Sequence, residues 1–302
     1  MSMSHDKHYQ TAPEDRIPFI QKVIFGAGAF VNNILAYAMG GMVIVLNLGL
    51  GMNPALVGLL GALPRLTDAI TDPLMGFISD NTNTRWGRRR PFIFCGAIAV
   101  AIVFAMLWQL PAGKSEAFYF WWFLSGSIIF YLAYTVFATP WVALGYELTP
   151  DYHERTRLMG VQNFIGQLAY VIGPYFLAIM NSKLLFDNMV EGAAGLSIAI
   201  ALAVVVVIVV GIMPAIFLRE RYVAIAATEA AEKGTAQESA SSIMMRTIRE
   251  FFKGFATSLK FKPFMKLCAA TFLVFNGFML IAAFQTYVII YYVFGGDTEQ
   301  GA

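Results

Sequence analysis

Long apolar runs separated by short polar segments dominate the chain. Seven runs are long enough for a helix of about 20 residues, the length that crosses a bilayer core of about 30 Å. They span residues 22–47, 55–79, 92–110, 118–146, 158–180, 195–218 and 264–294. The sixth is the clearest, and the second and fourth are the least apolar. This pattern predicts an all-α membrane protein rather than a soluble bundle of long buried helices.

The rhythm of apolar runs breaks between residues 219 and 262. The stretch AIAATEAAEKGTAQESASS is small and polar, which is typical of a linker. An amphipathic run follows it, which fits a helix in the membrane interface or one packed against the bundle. We predict a six-helix transmembrane bundle over 1–222, a cytoplasmic linker with an amphipathic helix over 223–262, and one helix over 263–302. That last helix resembles the start of a second half, so we expect a chain truncated at its carboxyl end.

Composition agrees with a multi-pass membrane protein. Hydrophobic residues make up 58% of the 302 residues and charged residues 13%, against about 25% charged in soluble domains. A net charge of +2 offers no broad basic surface for nucleic acid. Except for Arg65, Lys114 and Lys183, the Lys and Arg residues lie in segments 1–22, 80–91, 147–157 and 219–266. This bias predicts a cytoplasmic amino terminus, in a bacterial-type plasma (inner) membrane.

The second run carries three charges, Arg65, Asp68 and Asp72, near its middle. At about 100° per residue they share one face of a helix. Each charge at the bilayer centre costs about 2.5–3.5 kcal/mol on the insertion scale, so this face should point into protein or a wet cavity. A structural Arg–Asp pair would satisfy only one carboxylate. A coupling ion, H⁺ or Na⁺, would satisfy the second, and we predict a cation site and no other cofactor.

Polar and aromatic residues form stripes on three other runs. They are Asn33 and Tyr37 on the first, Tyr134, Thr135 and Thr139 on the fourth, and Asn163, Gln167 and Tyr170 on the fifth. Each could simply hydrogen-bond neighbouring helices, the commoner role for such residues. Together the three stripes favour a cavity for a neutral, polyhydroxylated small molecule such as a sugar or glycoside.

Three motifs carry a family resemblance: RLTDAITDPLMGFISDNTNTRWGRRRP at 65–91, ELTPDYHERTR at 147–157, and FGAGAF at 25–30. They resemble the glycoside–pentoside–hexuronide:cation symporter family of the major facilitator superfamily. The resemblance implies a twelve-helix alternating-access transporter that would need a carboxyl-terminal half. It assigns the cation site to Asp68 and Asp72, with Arg65 as the helix arginine. It also implies a conformational latch between the halves, formed by Gly76, Asp80, Arg85, Gly87, Arg88, Arg89 and Arg90.

Positions where this family has charged sugar-binding residues are neutral here, at Asn33, Ala138 and Asn163. Three hypotheses follow. The first is cation-coupled symport of a sugar or glycoside. The second is the same fold carrying a lipid-like or other amphiphilic solute. The third is a non-transporting membrane sensor or enzyme, which the absence of a His/Cys cluster or a nucleophile–base pair within the runs disfavours.

Overall fold

The computed structural model describes residues 11–82, 84, 86–111, 113–211, 260–293 and 295. All regular elements in these ranges are helical, which confirms the all-α prediction. The α-helices are α1 Phe19–Ile44, α2 Pro54–Asn81, α3 Arg90–Leu107, α4 Glu116–Glu147, α5 Tyr152–Ile172, α6 Tyr175–Met180, α7 Met189–Gly211 and α8 Lys262–Val288. Short π-helical turns follow α1 at Val45–Gly49 and α8 at Ile289–Val293.

Side-chain caps mark where three of the helices, α2, α4 and α5, begin. The Asn53 side chain accepts a hydrogen bond from the Ala55 N–H at 2.9 Å, and Pro54 takes the first position of α2. Ser115 caps α4 and Asp151 caps α5 in the same way. Such caps satisfy backbone N–H groups that have no partner within the helix. The polar segments between the apolar runs therefore supply the start signals of the helices.

Within the described residues, the helices follow the seven predicted runs, with one difference in the fifth. That run is divided into α5 and α6 at Gly173 and Pro174, because proline has no N–H to donate and clashes with the preceding turn. Among the described residues, five stretches are long and apolar enough to cross a membrane: Pro13–Gly49, Arg90–Leu107, Glu116–Glu147, Tyr152–Met180 and Met189–Val206. Helices α2 and α8 are not among the five, and their membrane crossing stays a prediction.

The chain divides into two compact units, Met1–Ala226 and Ala227–Ala302. Helices α1 to α7 lie in the first unit and α8 in the second. The predicted limits at 222 and 262 stay a prediction, since most of the predicted linker, with its amphipathic run, lies outside the described residues.

Within the first unit, the most extensive packing pairs α3 with α4, α1 with α5, and α2 with α4. Glycine allows the closest of these approaches: a Cβ atom on Gly96 of α3 would lie 2.5 Å from the Phe137 backbone nitrogen on α4. Small residues at such contacts are typical of membrane helices. Packing of α2 on α4 is what positions the charged face of α2.

Candidate functional site

The charged face of α2 contains an ion pair between Arg65 and Asp68, which lie about one helical turn apart. Arg65 Nη1 lies 3.5 Å from Asp68 Oδ2. The arginine side chain is 59% exposed and the aspartate side chain 20%. Asp72, one turn further along, is not joined to Arg65 by any ion pair found among the described residues. The expectation that one arginine serves only one carboxylate therefore matches the geometry.

Asp72 is held by hydroxyl groups from the facing helix. Thr135 Oγ1 of α4 donates a hydrogen bond to Asp72 Oδ1 at 2.8 Å, and Thr139 Oγ1 donates to the same oxygen at 3.4 Å. The sequence predicts these two threonines as substrate contacts. In the structure both hydroxyl groups contact Asp72 of the predicted cation site, and their contact with a substrate stays a prediction.

Two buried oxygen atoms on this face are unsatisfied. Asp68 Oδ1 and Thr71 Oγ1 are inaccessible to solvent and have no hydrogen-bond partner in the described part of the chain. Buried polar atoms are nearly always hydrogen-bonded, so such orphans require an explanation. We name Arg65, Asp68, Thr71 and Asp72 the Asp68 cluster. Sequence reasoning missed Thr71, although its position three residues after Asp68 places it on the same helix face.

The arginine of the Asp68 cluster also contacts an aromatic ring. Arg65 Cζ lies 4.6 Å from the ring centroid of Tyr131 on α4, which is the geometry of a cation–π interaction. The Tyr131 side chain is buried. Arg65 therefore has two partners, a carboxylate on its own helix and a ring on the facing helix.

A chain of hydrogen bonds joins α4, α1 and α5. Tyr134 Oη donates to Asn32 Oδ1 at 2.6 Å, and Asn32 Nδ2 donates to Asn33 Oδ1 at 3.2 Å. Asn33 Nδ2 donates in turn to the Gly166 carbonyl at 3.0 Å. Asn32 is absent from the sequence-predicted set, because helical periodicity alone does not show which of two adjacent asparagines meets a neighbouring helix.

The remaining predicted substrate residues lie along α1 and α5. The rings of Tyr37 and Tyr170 meet edge to face, with centroids 6.0 Å apart. Gln167 Nε2 donates to Asn163 Oδ1 at 3.4 Å, and both side chains are exposed. The eight predicted residues thus form three groups: two threonines beside Asp72, the Asn33–Tyr134 chain, and the face of α5 with Tyr37.

The predicted latch is an ion-pair network where α2 and α4 end and α3 begins. Arg89 Nε and Nη2 donate to Asp80 Oδ1 at 3.1 and 2.5 Å. Both Arg88 and Arg89 also pair with Glu147, the last residue of α4, which sequence reasoning missed. Gly87 has a φ of +102°, a backbone conformation that favours glycine.

Three other members of the predicted latch are Gly76, Arg85 and Arg90. The Gly76 carbonyl accepts a hydrogen bond from Ser79 Oγ within α2. Arg90 is the first residue of α3 and is half-buried. Arg85 lies outside the described residues. The described latch residues therefore tie helix ends of the first unit together.

Comparison with known proteins shows the family. A family model described as MFS/sugar transport protein matches residues 24–299. An uncharacterized symporter, sll1374, of Synechocystis is 31% identical over 180 residues, 57% of this chain and 32% of that protein. The isoprimeverose transporter of Lactiplantibacillus pentosus is 29% identical over 124 residues, 40% of this chain and 25% of that protein.

A mammalian relative matches a longer part of the chain. The sodium-dependent lysophosphatidylcholine symporter 1 of Mus musculus is 24% identical over 245 residues, 74% of this chain and 45% of that protein. The matched segments span less than half the length of each of these three relatives. The family model covers most of the residues of this chain, and its family consists of membrane transporters and not of enzymes. This chain therefore belongs to the MFS/sugar transport protein family, as its resemblance to the glycoside–pentoside–hexuronide:cation symporters predicts.

Proposed function

We propose that the protein is a secondary active transporter that couples entry of a cation, H⁺ or Na⁺, to symport of a sugar or glycoside by alternating access. The observation that carries this proposal is the incomplete satisfaction of the Asp68 cluster. Asp68 has one oxygen at 3.5 Å from Arg65 and a second, buried oxygen without a partner among the described side chains. A small cation that binds there would give the second Asp68 oxygen a partner.

The oxygen atoms of the Asp68 cluster suit either ion. Na⁺ is a hard cation, and carboxylate and hydroxyl oxygens from Asp68, Asp72 and Thr71 are the type of ligand that hard cations take. Thr135 supplies a further hydroxyl at Asp72. A proton would instead remove one negative charge from the pair of carboxylates formed by Asp68 and Asp72. Both ions would lower the energy of a charged face at membrane depth.

We place the amino terminus in the cytoplasm and the protein in the inner, plasma membrane. The end of the bundle where the predicted latch residues lie is rich in Arg, and basic loops stay on the cytoplasmic side. In this orientation the loop 80–91 would contact a carboxyl-terminal half in one state of the transport cycle and release it in the other. Asp80, Arg88 and Arg89 already form ion pairs at helix ends.

For the solute we propose contacts from the eight polar and aromatic residues of the three stripes: Asn33, Tyr37, Tyr134, Thr135, Thr139, Asn163, Gln167 and Tyr170. Amides, hydroxyls and aromatic faces bind the hydroxyl groups and apolar faces of sugars. A relative named for isoprimeverose supports a glycoside. A second candidate is an amphiphilic lipid, which the lysophosphatidylcholine symporter favours through its match to 74% of this chain.

The test is uptake into proteoliposomes containing the complete protein, driven by a Na⁺ or a proton gradient. A panel of radiolabelled pentosides, hexosides and lysophospholipids identifies the solute class. We expect gradient-driven uptake of a glycoside that is lost in Asp68→Asn and in Asp72→Asn. Asp187→Asn, at an exposed acid between α6 and α7, is the matched control and should transport normally. Unchanged gradient-driven uptake in both site variants would refute the cation role.

A further inference from the structure

The contacts of Arg65 offer a physical route from the Asp68 cluster to the side chains proposed to meet the solute. Arg65 is shared between the Asp68 carboxylate on α2 and the Tyr131 ring on α4. A cation that binds beside Asp68 would repel Arg65 and neutralise the carboxylate that attracts it. The arginine would then favour the ring over the carboxylate. Binding of the cation would therefore strengthen the contact between Arg65 and the Tyr131 ring.

A shift of the Tyr131 ring would reach the hydrogen-bond chain between α4, α1 and α5, because Tyr131 contacts Tyr134. The Tyr131 ring meets the Tyr134 ring edge to face, with centroids 6.4 Å apart. The Tyr134 hydroxyl holds Asn32 at 2.6 Å, and through it Asn33 and the Gly166 carbonyl of α5. Closely packed side chains with two discrete arrangements are the physical means by which coupling travels between sites.

We propose that Tyr131 is a positioning residue that couples cation occupancy to the orientation of Asn32 and Asn33. The inference rests on the proposed function, since it needs a cation at the Asp68 cluster. It extends that function by naming the residue through which cation binding would change the orientation of Asn32 and Asn33. We assign the role to the aromatic ring, because the cation–π contact with Arg65 and the edge-to-face contact with Tyr134 are both made to the ring. Arg65 also lies within hydrogen-bonding reach of the Tyr131 hydroxyl, so Tyr131→Phe, which keeps only the ring, separates the two contacts.

A cysteine reporter tests the proposal without knowledge of the solute. In the complete protein with its native cysteines, including Cys95 and Cys268, replaced by alanine, Asn163→Cys places a thiol on the exposed face of α5. The rate of its reaction with a maleimide is measured in Na⁺ and in choline, at mildly acidic and mildly alkaline pH. We expect the cation to change this rate by about fivefold, the lower range of typical coupling. Asp68→Asn should abolish the change.

Three variants separate coupling from cation binding. Tyr131→Leu should lose most of the cation response while the cation still raises the unfolding temperature, whereas Tyr131→Phe should keep both. Tyr134→Phe, which keeps its ring but releases Asn32, should also lose the response and keep the stabilisation. It therefore tests the route even if Tyr131→Leu does not fold.

The outcomes distinguish the two levels of the argument. A full response in Tyr131→Leu or in Tyr134→Phe would overturn the coupling role and leave the cation site intact. Loss of the response in Tyr131→Phe would show that the hydroxyl, not the ring, matters, and would also overturn it. If neither ion changes the reaction rate or the unfolding temperature of the parent protein, the proposed function itself fails.

Discussion

The described part of the first unit holds two clusters of charge, one buried and one partly exposed, and they differ in how completely their carboxylates are satisfied. In the cluster formed by Ile17, Lys22, Glu154 and Arg157, here the Glu154 cluster, both carboxylate oxygens are used. Glu154 Oε1 accepts from Lys22 Nζ at 2.6 Å and from the Ile17 N–H at 3.0 Å. Glu154 Oε2 accepts from Arg157 Nη1 at 3.0 Å. In the Asp68 cluster one contact is 3.5 Å long and one buried oxygen has no partner in the described ranges.

Exposure separates the two clusters as clearly as their contacts do. The Glu154 side chain is 3% exposed and Lys22 12%, whereas Asp68 is 20% and Arg65 59% exposed. A dry carboxylate with three donors has no need of a further ligand, and it fastens the start of α1 to the start of α5. A more exposed carboxylate, one of whose oxygens is buried without a partner among the described residues, can take a further ligand. The comparison therefore assigns a structural role to Glu154 and supports the ion-binding role proposed for Asp68.

The largest effect on stability is expected at Glu154. Glu154→Ala removes a buried carboxylate and leaves the largely enclosed Lys22 without its partner, and breaking a buried pair in this way costs about 3–5 kcal/mol. The free energy of unfolding in detergent micelles measures the loss. Glu191→Ala, at an exposed acid in the first turn of α7, is the control and should change it by under about 0.5 kcal/mol. Equal losses of unfolding free energy in Glu154→Ala and Glu191→Ala would contradict the structural role assigned to Glu154.

Asp68→Asn is expected to change how far a cation raises the free energy of unfolding, rather than the free energy of unfolding in the absence of the cation. The parent protein should gain about 2.7 kcal/mol of unfolding free energy at a cation concentration of about 100 Kd. The variant should gain nothing, because the ion loses its charged ligand. Unfolding temperatures in Na⁺ and in choline, at two pH values, measure the gain. A variant that is stabilised as strongly as the parent would mean that any cation binds elsewhere.

Thr71→Val removes one neutral oxygen from the Asp68 cluster and keeps the shape of the side chain. If that oxygen ligates Na⁺, the apparent Kd should rise by roughly tenfold or more, as for loss of one contact to a charged group. Thr67→Val, whose hydroxyl already bonds the Pro64 carbonyl at 2.6 Å, is the matched control on the same helix. An equal loss in the two variants would exclude a specific role for Thr71. If the coupling ion is H⁺ alone, neither variant should respond to Na⁺.

The smallest effect is expected at the rim of the Glu154 cluster. Arg157 is 53% exposed, and exposed ion pairs contribute about 0.2–1 kcal/mol. Arg157→Gln should lower the unfolding free energy by that amount, and less so at high salt because exposed charges are screened. Salt-dependent denaturation curves check this. A loss as large as that in Glu154→Ala would show that Arg157, and not Lys22, is the main partner.

The sequence was sufficient for features that depend on one helix at a time. The seven apolar runs coincide with helices, and the shared face of Arg65, Asp68 and Asp72 follows from helical spacing. The pairing of Arg65 with only one carboxylate was also predictable, because one guanidinium neutralises one negative charge. Pro174 carried a signal for the break between α5 and α6 that length and hydropathy concealed.

Features that depend on how two helices pack could not be read from the chain. Contact of Thr135 with Asp72, of Arg65 with Tyr131 and of Glu147 with Arg88 all join residues more than 50 positions apart. Their register is set by close packing, such as the approach of Gly96 to the backbone of α4. For the same reason the sequence could not show that Thr135 and Thr139, which it predicts as substrate residues, contact Asp72.

The most direct test of the central claim is a cation titration of the purified, complete protein in detergent. Isothermal titration with NaCl and a difference proton titration are compared between the parent protein and Asp68→Asn. We expect saturable uptake of one cation, Na⁺ or H⁺, in the parent and its loss in the variant. Identical titrations of parent and variant for both ions would contradict the claim that the Asp68 cluster binds an exchangeable cation.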